Sequence, residues 1–295
     1  MHRIDATGLS RRALLGTASA FAASLSGVLP MEGSEPRITT PPYNTLSFEE
    51  EIALGRKFAQ EYEKDVELIR NPLIGPYLDD IVRRLGKNSQ RPDWPYRIQT
   101  VNSAVINASA IPGGFLYVQR GMLEFVDDEN ELVGALAHEM GHVVARHTTN
   151  QLMLTFLARN LYETVKKNIL LNNSVISGII EQLGGPVVLL AQLKYSRENE
   201  SEADLLGFYE MLRAGWNPIG LMNFFERIRG REGNRSPLDV MLSDHPSSAG
   251  RIDEIKKEID SVKVTAPVRM DTLKFRALKS ALRLMPPAPK PAHQE

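Results

Sequence analysis

The sequence predicts a mostly helical α+β fold in which a small β-sheet borders a cleft. Two observations carry that expectation. Beyond residue 47, apolar residues recur at helical spacing through most of the chain, first as Ile52, Leu54, Phe58, Tyr62 and Val66. Only "YRIQTVNS" and "GGFLYVQRG" show the β-branched and aromatic enrichment of strands. The two lie close together in the chain, so the sheet they form is small.

The N-terminal stretch stands apart from that pattern. In "LSRRALLGTASAFAASLSGVLP", Arg11 and Arg12 precede a run without charge from Ala13 to Pro30. A basic start, an apolar middle and small residues at its end read as an export signal over residues 1–32. The segment resembles a twin-arginine signal, with Leu15 at the apolar position. A membrane anchor is the weaker reading, because the run is short and rich in Ala and Ser. Residues 33–46, "GSEPRITTPPYNTL", read as a polar, Pro-rich linker.

A single domain is expected over residues 47–265. Ser47 and Glu50 form a capping-box pair at the start of its first helix. A second helix is expected over about Asn71 to Leu85, then the two strands, with Pro112-Gly113-Gly114 turning into the second. Asp128, with Glu131 three residues on, caps a helix running to about Thr148. A long helical stretch follows from about Gln151 to Lys194, broken near Asn172-Asn173 and Gly184-Gly185-Pro186. Polar residues interrupt it too often for a membrane span, so a lid or a peripheral membrane contact is expected there. "SRENESEADLLGFYEMLRAG" is a further helix ended by Gly215 and Pro218. Shorter helices are expected over about Pro218 to Ile228 and Ser248 to Val262. Residues 266–295 read as an extension with a disordered, Pro-rich tail.

Composition excludes several chemistries. A formal net charge of −1 gives no electrostatic case for nucleic acid. The absence of cysteine removes disulfides, thiolate catalysis, a lipid-bearing N-terminal cysteine and Cys-based zinc sites. A metal site must therefore use His, Asp or Glu.

Three of the six histidines fall within "ALAHEMGHVVARH". Residues four apart on a helix lie about 5–6 Å from each other at their β-carbons. His138 and His142 thus aim two imidazoles at one point, which suits Zn²⁺, and Glu139 between them can reach water beside the metal. This is an H-E-x-x-H arrangement, "HEMGH". Gly134 and Gly141 lie mid-helix, which implies close approach of another segment. A catalytic zinc needs three protein ligands. His147 falls on the apolar side of a continuous helix, which favours a packed or capping role. Glu200 and Asp204 share a face of their helix, so Glu200 is a candidate third ligand and Asp204 a candidate partner for a histidine ring N–H. On spacing alone, a solvated acidic face remains the equal alternative.

"HEMGH", "ENESEAD", "VINASAIPGGFLYVQRGML" and "SDHPSSAGRI", in that order, resemble the HtpX/BepA/Oma1 group of gluzincin zinc metallopeptidases, relatives of the CAAX prenyl proteases. The resemblance spans about Ser47 to Lys263 and is nearest in layout to the short, exported, periplasmic members. It implies a zincin-like fold and one Zn²⁺ per chain, held by His138, His142 and Glu200, with Asp204 behind them. It implies Glu139 as general base and a site role for His245, either steadying the oxyanion or filling the metal's open position at rest. Arg251 becomes a neighbour without an assigned role. Ser109 stands where the family commonly has an aromatic residue, and the C-terminal helical repeats of BepA-like members are missing.

The implied activity is hydrolysis of unfolded or misfolded polypeptides in the cell envelope. The substrate would add as a strand near Asn107 to Gly114, and the stretch over about Leu152 to Gln192 would gate the cleft. No nucleic-acid partner and no particular oligomeric state are implied. A chaperone-like zinc protein that binds unfolded clients with little turnover is the alternative. A membrane-embedded CAAX-type protease and a purely structural zinc site are disfavoured, since spanning helices are missing and Glu139 would have no purpose.

Overall fold

The computed structural model describes residues 38, 44–159, 167, 173–231, 245 and 249–290. The export signal expected over residues 1–32 lies outside them, as do most of the linker and part of the expected lid. Helix α1 spans Phe48–Asp65 and starts on the expected capping box: Glu50 N–H donates to Ser47 Oγ at 3.2 Å, and Ser47 N–H to the Glu50 carboxylate at 2.7 Å. Helix α2, Gly75–Lys87, begins later than its apolar pattern suggests. Asn71 Oδ1 accepts from Leu73 N–H at 2.8 Å, closing a side-chain turn that delays the helix to the turn holding Pro76.

Three strands form the sheet: β1 (Arg97–Val101), β2 (Ala108–Ile111) and β3 (Phe115–Gln119), in the order β1-β3-β2. β1 runs parallel to β3 and β2 antiparallel to it. The residues signalled only the outer two of the chain order. β2 is four residues, "ASAI", too short and too rich in alanine to stand out. Gly113 enters β3 with φ 77°, and a β-carbon there would fall 2.8 Å from Ile52 Cα.

Helix α3 is Arg120–Phe125 and α4 is Glu129–Val144, capped by Asp128, which accepts from Glu131 N–H at 3.2 Å. The Glu131 carboxylate reaches Asp127 N–H rather than that of the cap residue. α4 ends four residues short of the expected Thr148. Arg146 adopts the left-handed conformation, φ 62°, and α5 (His147–Ala158) starts immediately after it in a new direction. The turn is held by the Arg146 guanidinium, which donates to Glu51 and to the Leu46 carbonyl.

Helices α6 (Asn173–Gln182) and α7 (Gly185–Gln192) follow, then α8 (Arg197–Ala214), α9 (Ile219–Arg229), α10 (Ala249–Ser261) and α11 (Leu273–Leu284). α8 starts on Ser196 and ends at Gly215, φ 81°, as its sequence predicts. The main core joins α2, α4, α8, α9 and α11 to the sheet through residues such as Leu78, Leu116, Leu136, Phe208 and Phe224. A second core sets α1 (Leu54, Phe58, Tyr62) against Phe156, Ile180 and Leu189 of α5, α6 and α7. The expected lid is therefore, in part, a packed wall. Among the described residues no helix is long and apolar enough to cross a membrane.

The sequence reading ended the domain at residue 265, whereas packing continues to residue 290. Phe275, Leu278 and Leu282 of α11 are buried in the main core. Lys279 Nζ donates to the carbonyls of Leu123, Glu124 and Val126, closing the C-terminus of α3. Pro289 accepts from Ala104 N–H at 2.9 Å. The F-x-x-L-x-x-x-L spacing of Phe275, Leu278 and Leu282 is a helix signal that the sequence reading did not single out. Residues 291–295 of the tail lie outside the described residues.

Candidate active site

Glycine is what lets three helices converge. A β-carbon on Gly134 would fall 2.6 Å from Leu221 Cα of α9, and one on Gly141 would fall 2.4 Å from the Ala203 carbonyl oxygen of α8. With these positions bare, α8 and α9 lie directly on α4, and every residue of α4 is buried. The close approach expected from the two glycines is thus present.

His138 and His142, one turn apart on α4, bring their Nε2 atoms to 3.2 Å from each other. From the first turn of α8, Glu200 places its carboxylate 3.6 Å from His138 Nε2 and 3.5 Å from His142 Nε2. His245 Nδ1 lies 3.1 Å from His138 Nε2 and 2.9 Å from Glu200 Oε1. One donor atom from each of the four lies within 4.8 Å of the others, and all four residues are buried. Asp204, one turn along α8, meets His138 Nδ1 at 2.8 Å. Glu139 Oε1 is 3.4 Å from His245 Nε2.

The donor set fits a zinc ion. Because Asp204 accepts the outer N–H of His138, the inner Nε2 carries a lone pair, and it faces the matching nitrogen of His142. Two lone pairs and a carboxylate converging in a buried space need a cation between them, and nitrogen and oxygen donors suit Zn²⁺. Burial pushes both histidines below their ordinary range, His142 far below, against the pull of Asp204 and Glu200, so both rings are neutral as ligands must be. Burial alone would raise Glu200, but the neighbouring His245 holds it ionised, well below the usual carboxylate range. Burial also works against Asp204, and Arg251 overcomes it.

Arg251 of α10 had no assigned role in the sequence. Its guanidinium grips Asp204 through two bonds, Nε to Oδ2 at 2.6 Å and a terminal nitrogen to Oδ1 at 2.7 Å, and its other arm reaches Glu200 at 2.6 Å. His147 is packed, as expected, but not where a continuous helix would put it. On an unbroken helix it would fall on the apolar side; the break at Arg146 instead brings its Nδ1 to 3.1 Å from His142 Nδ1. Tyr195 was not singled out at all. Its ring stacks on His142 with centroids 4.0 Å apart, and its hydroxyl pairs with Thr148 Oγ1 at 3.0 Å. No periodicity flags a lone tyrosine in the extended residues before α8.

The cluster opens onto a cleft of about 560 Å³, lined by Glu139, His245, Tyr195, residues 107–110 of the β2 region, and Leu190 and Leu193 at α7. β2 forms the rim of the sheet here. Asn107 C=O accepts from Gln119 N–H at 3.0 Å, so alternation along the pair turns the main-chain groups of Ala108 and Ala110 outward. Thr148 Oγ1 donates to the Ala110 carbonyl at 3.0 Å. Ser109 of β2 lines the cleft.

Among relatives, the beta-barrel assembly-enhancing protease of Yersinia pestis is 29% identical over 88% of this chain and 54% of its own length. The mitochondrial metalloendopeptidase OMA1 of Schizosaccharomyces pombe is 28% identical, over 64% of this chain and 54% of its own. Metalloprotease YcaL of Escherichia coli is 28% identical, over 74% of this chain and 84% of its own. The chain spans about half the length of the beta-barrel assembly-enhancing proteases it matches. A model of peptidase family M48 matches residues 72–259, more than half of the chain, taking in the sheet, both helices that carry the donor cluster and the Arg251 clamp. This protein therefore belongs to peptidase family M48, the zinc metalloproteases.

Proposed function

We propose that the protein is a zinc metalloendopeptidase that cleaves unfolded or misfolded polypeptides in the cell envelope, after export to the periplasm. The observation that carries the reading is the position of Glu139, beside a buried His–His–Glu donor set and on the wall of a cleft wide enough for a peptide. The twin-arginine-like N-terminus and the envelope setting implied by the name beta-barrel assembly-enhancing protease support the location.

His138, His142 and Glu200 would hold the zinc ion, which would supply Lewis acidity toward the scissile carbonyl and the attacking water. Glu139 takes the proton from the attacking water and passes it to the leaving amine. Asp204 keeps the His138 proton on Nδ1, and Arg251 holds Asp204 and Glu200 in place. The substrate lies extended along β2, its main chain pairing with the outward groups of that strand, so selectivity for sequence is weak and folded chains are excluded. Val187 and Leu190 of α7 bound the cleft, and the stretch over about Leu152 to Gln192 acts as its gate. His245, beside Glu139 and within the donor cluster, would either steady the developing oxyanion or occupy the fourth donor position at rest.

The test is casein cleavage by the full chain and by Glu139→Gln, with zinc measured in both. About one zinc in each, with turnover lost in Glu139→Gln by a factor on the order of 10² or more, is the expected result. Equal cleavage by both would remove Glu139 from the mechanism. Zinc in both, no cleavage by either, and suppression of casein aggregation by Glu139→Gln would favour the client-binding alternative.

A further inference from the structure

We infer that His147 and Glu202 fix the tautomer and orientation of His142 and so help to hold the metal. The inference rests on the assignment of His138, His142 and Glu200 as ligands. His138 and His142 turn their Nε2 atoms inward, 3.2 Å apart, so each ring's Nδ1 faces out of the cluster. Behind His138 the outer nitrogen meets the Asp204 carboxylate directly, at 2.8 Å. Behind His142 it meets His147 Nδ1 at 3.1 Å, and His147 Nε2 meets Glu202 Oε2 at 3.1 Å.

The hydrogen bonds can close in one way only. A histidine that gives a metal its Nε2 lone pair carries its proton on Nδ1. His142 therefore donates from Nδ1, His147 accepts at Nδ1, and the remaining ring proton of His147 sits on Nε2, where Glu202 accepts it. Both imidazoles of the H-E-x-x-H pair thus end on a carboxylate, His138 in one step and His142 in two. Such partners make the ligand more basic and keep its ring from turning. Tyr195, stacked on the His142 ring 4.0 Å away, restricts the same rotation from one face.

The local fold makes the arrangement reachable. Residues five apart on a continuous helix point about 140° away from each other and do not touch. The left-handed Arg146 breaks α4 from α5, and His147, first residue of α5, is swung back behind His142, where it is 2% exposed. Glu202 comes from α8, between the Glu200 and Asp204 turns, so one helix supplies a ligand and the carboxylates behind both histidines.

The test is the equilibrium zinc affinity of the full chain, read by competition with a chromophoric chelator, for wild type, His147→Phe, His147→Asn and Glu202→Ala. His147→Phe keeps the ring volume and removes both hydrogen bonds; its affinity is expected to fall about 10- to 100-fold. His147→Asn restores an acceptor near the lost Nδ1 and recovers most of that loss. The visible bands of the Co²⁺-loaded protein shift in His147→Phe and return in His147→Asn, which a general loss of stability would not produce. Unchanged affinity in a folded His147→Phe would overturn the inference while leaving the proposed function standing. Should His147→Phe not fold, Glu202→Ala decides: a several-fold loss supports the inference and wild-type affinity overturns it. A wild type that takes up no zinc overturns both readings.

Discussion

The Ala203 carbonyl oxygen of α8 lies 2.4 Å from where a β-carbon on Gly141 of α4 would be. Glu200 and Asp204 flank that contact on one side, and His138 and His142 flank it on the other. Missing methyl groups at Gly141 and at Gly207 of α8, whose β-carbon would fall 2.8 Å from the Ala137 carbonyl oxygen, therefore set the distance between the two halves of the donor cluster. Gly141→Ala must push α8 away from α4. It is expected to cost about 1–3 kcal/mol as overpacking and to weaken zinc binding together with stability. Urea unfolding with and without zinc measures both; a fully stable Gly141→Ala with wild-type zinc affinity would show that α8 can shift without disturbing the site.

His245 stands in the donor cluster with its Nδ1 2.9 Å from Glu200 Oε1. If it is the resting occupant of the fourth position, His245→Ala raises casein turnover by several-fold and leaves zinc content near one per chain. A loss of turnover with zinc retained would instead assign His245 to the oxyanion.

Arg251 neutralises two buried carboxylates at once, and the 5% exposure of its side chain means that water cannot replace it. Arg251→Met keeps an unbranched side chain, removes the guanidinium that lies over the Phe225 ring at 4.3 Å, and leaves Glu200 and Asp204 without their cation. Breaking a buried pair in this way costs roughly 3–5 kcal/mol. The loss is expected to be largest after zinc removal with a chelator, because the bound ion offsets the charge of Glu200. Melting curves of wild type and Arg251→Met, with zinc and with chelator, read the difference directly.

Burial pushes the Tyr62 hydroxyl from 10.0 up to about 12, against a smaller opposing pull from its bond with Gln119. The folded state thus holds that proton more tightly than the unfolded chain. Stability is untouched below about pH 10 and is lost as pH rises from 10 toward 12, to a total of about 2–3 kcal/mol. Tyr62→Phe removes this share of the alkaline loss. Urea unfolding at pH 9, 10 and 11 should show a shallower decline for Tyr62→Phe, and parallel declines would refute the assignment.

Much of the site was legible because its parts are local. His138, Glu139 and His142 share one turn of helix, as do Glu200 and Asp204, and spacing alone places each set on a face. The capping box at Ser47 and the glycines of α4 were equally plain, since each acts within a few residues of itself. What stayed hidden depends on how segments meet. His147 was misplaced because one left-handed residue, Arg146, cannot be told from its helical neighbours by its identity. Arg251 could be named but not given a task, because its partners are 47 residues away and more. β2 lacked the length and branching that mark a strand, and the basic face of α11 masked its buried one.

The donor atoms are far apart along the chain: His138 and His245 are separated by 107 positions. Bringing such ends together carries a loop-closure entropy that only packing elsewhere can offset, so contacts of this range form late. α4 has to dock on α8, and α10 has to close over both, before four donors surround one point. A chain interrupted before Glu200 would hold the H-E-x-x-H helix without its third donor and without the Asp204 carboxylate behind His138. Under the proposed function, such a chain would carry the general base and two ligands but no complete zinc site, so completion of the fold would itself switch the activity on.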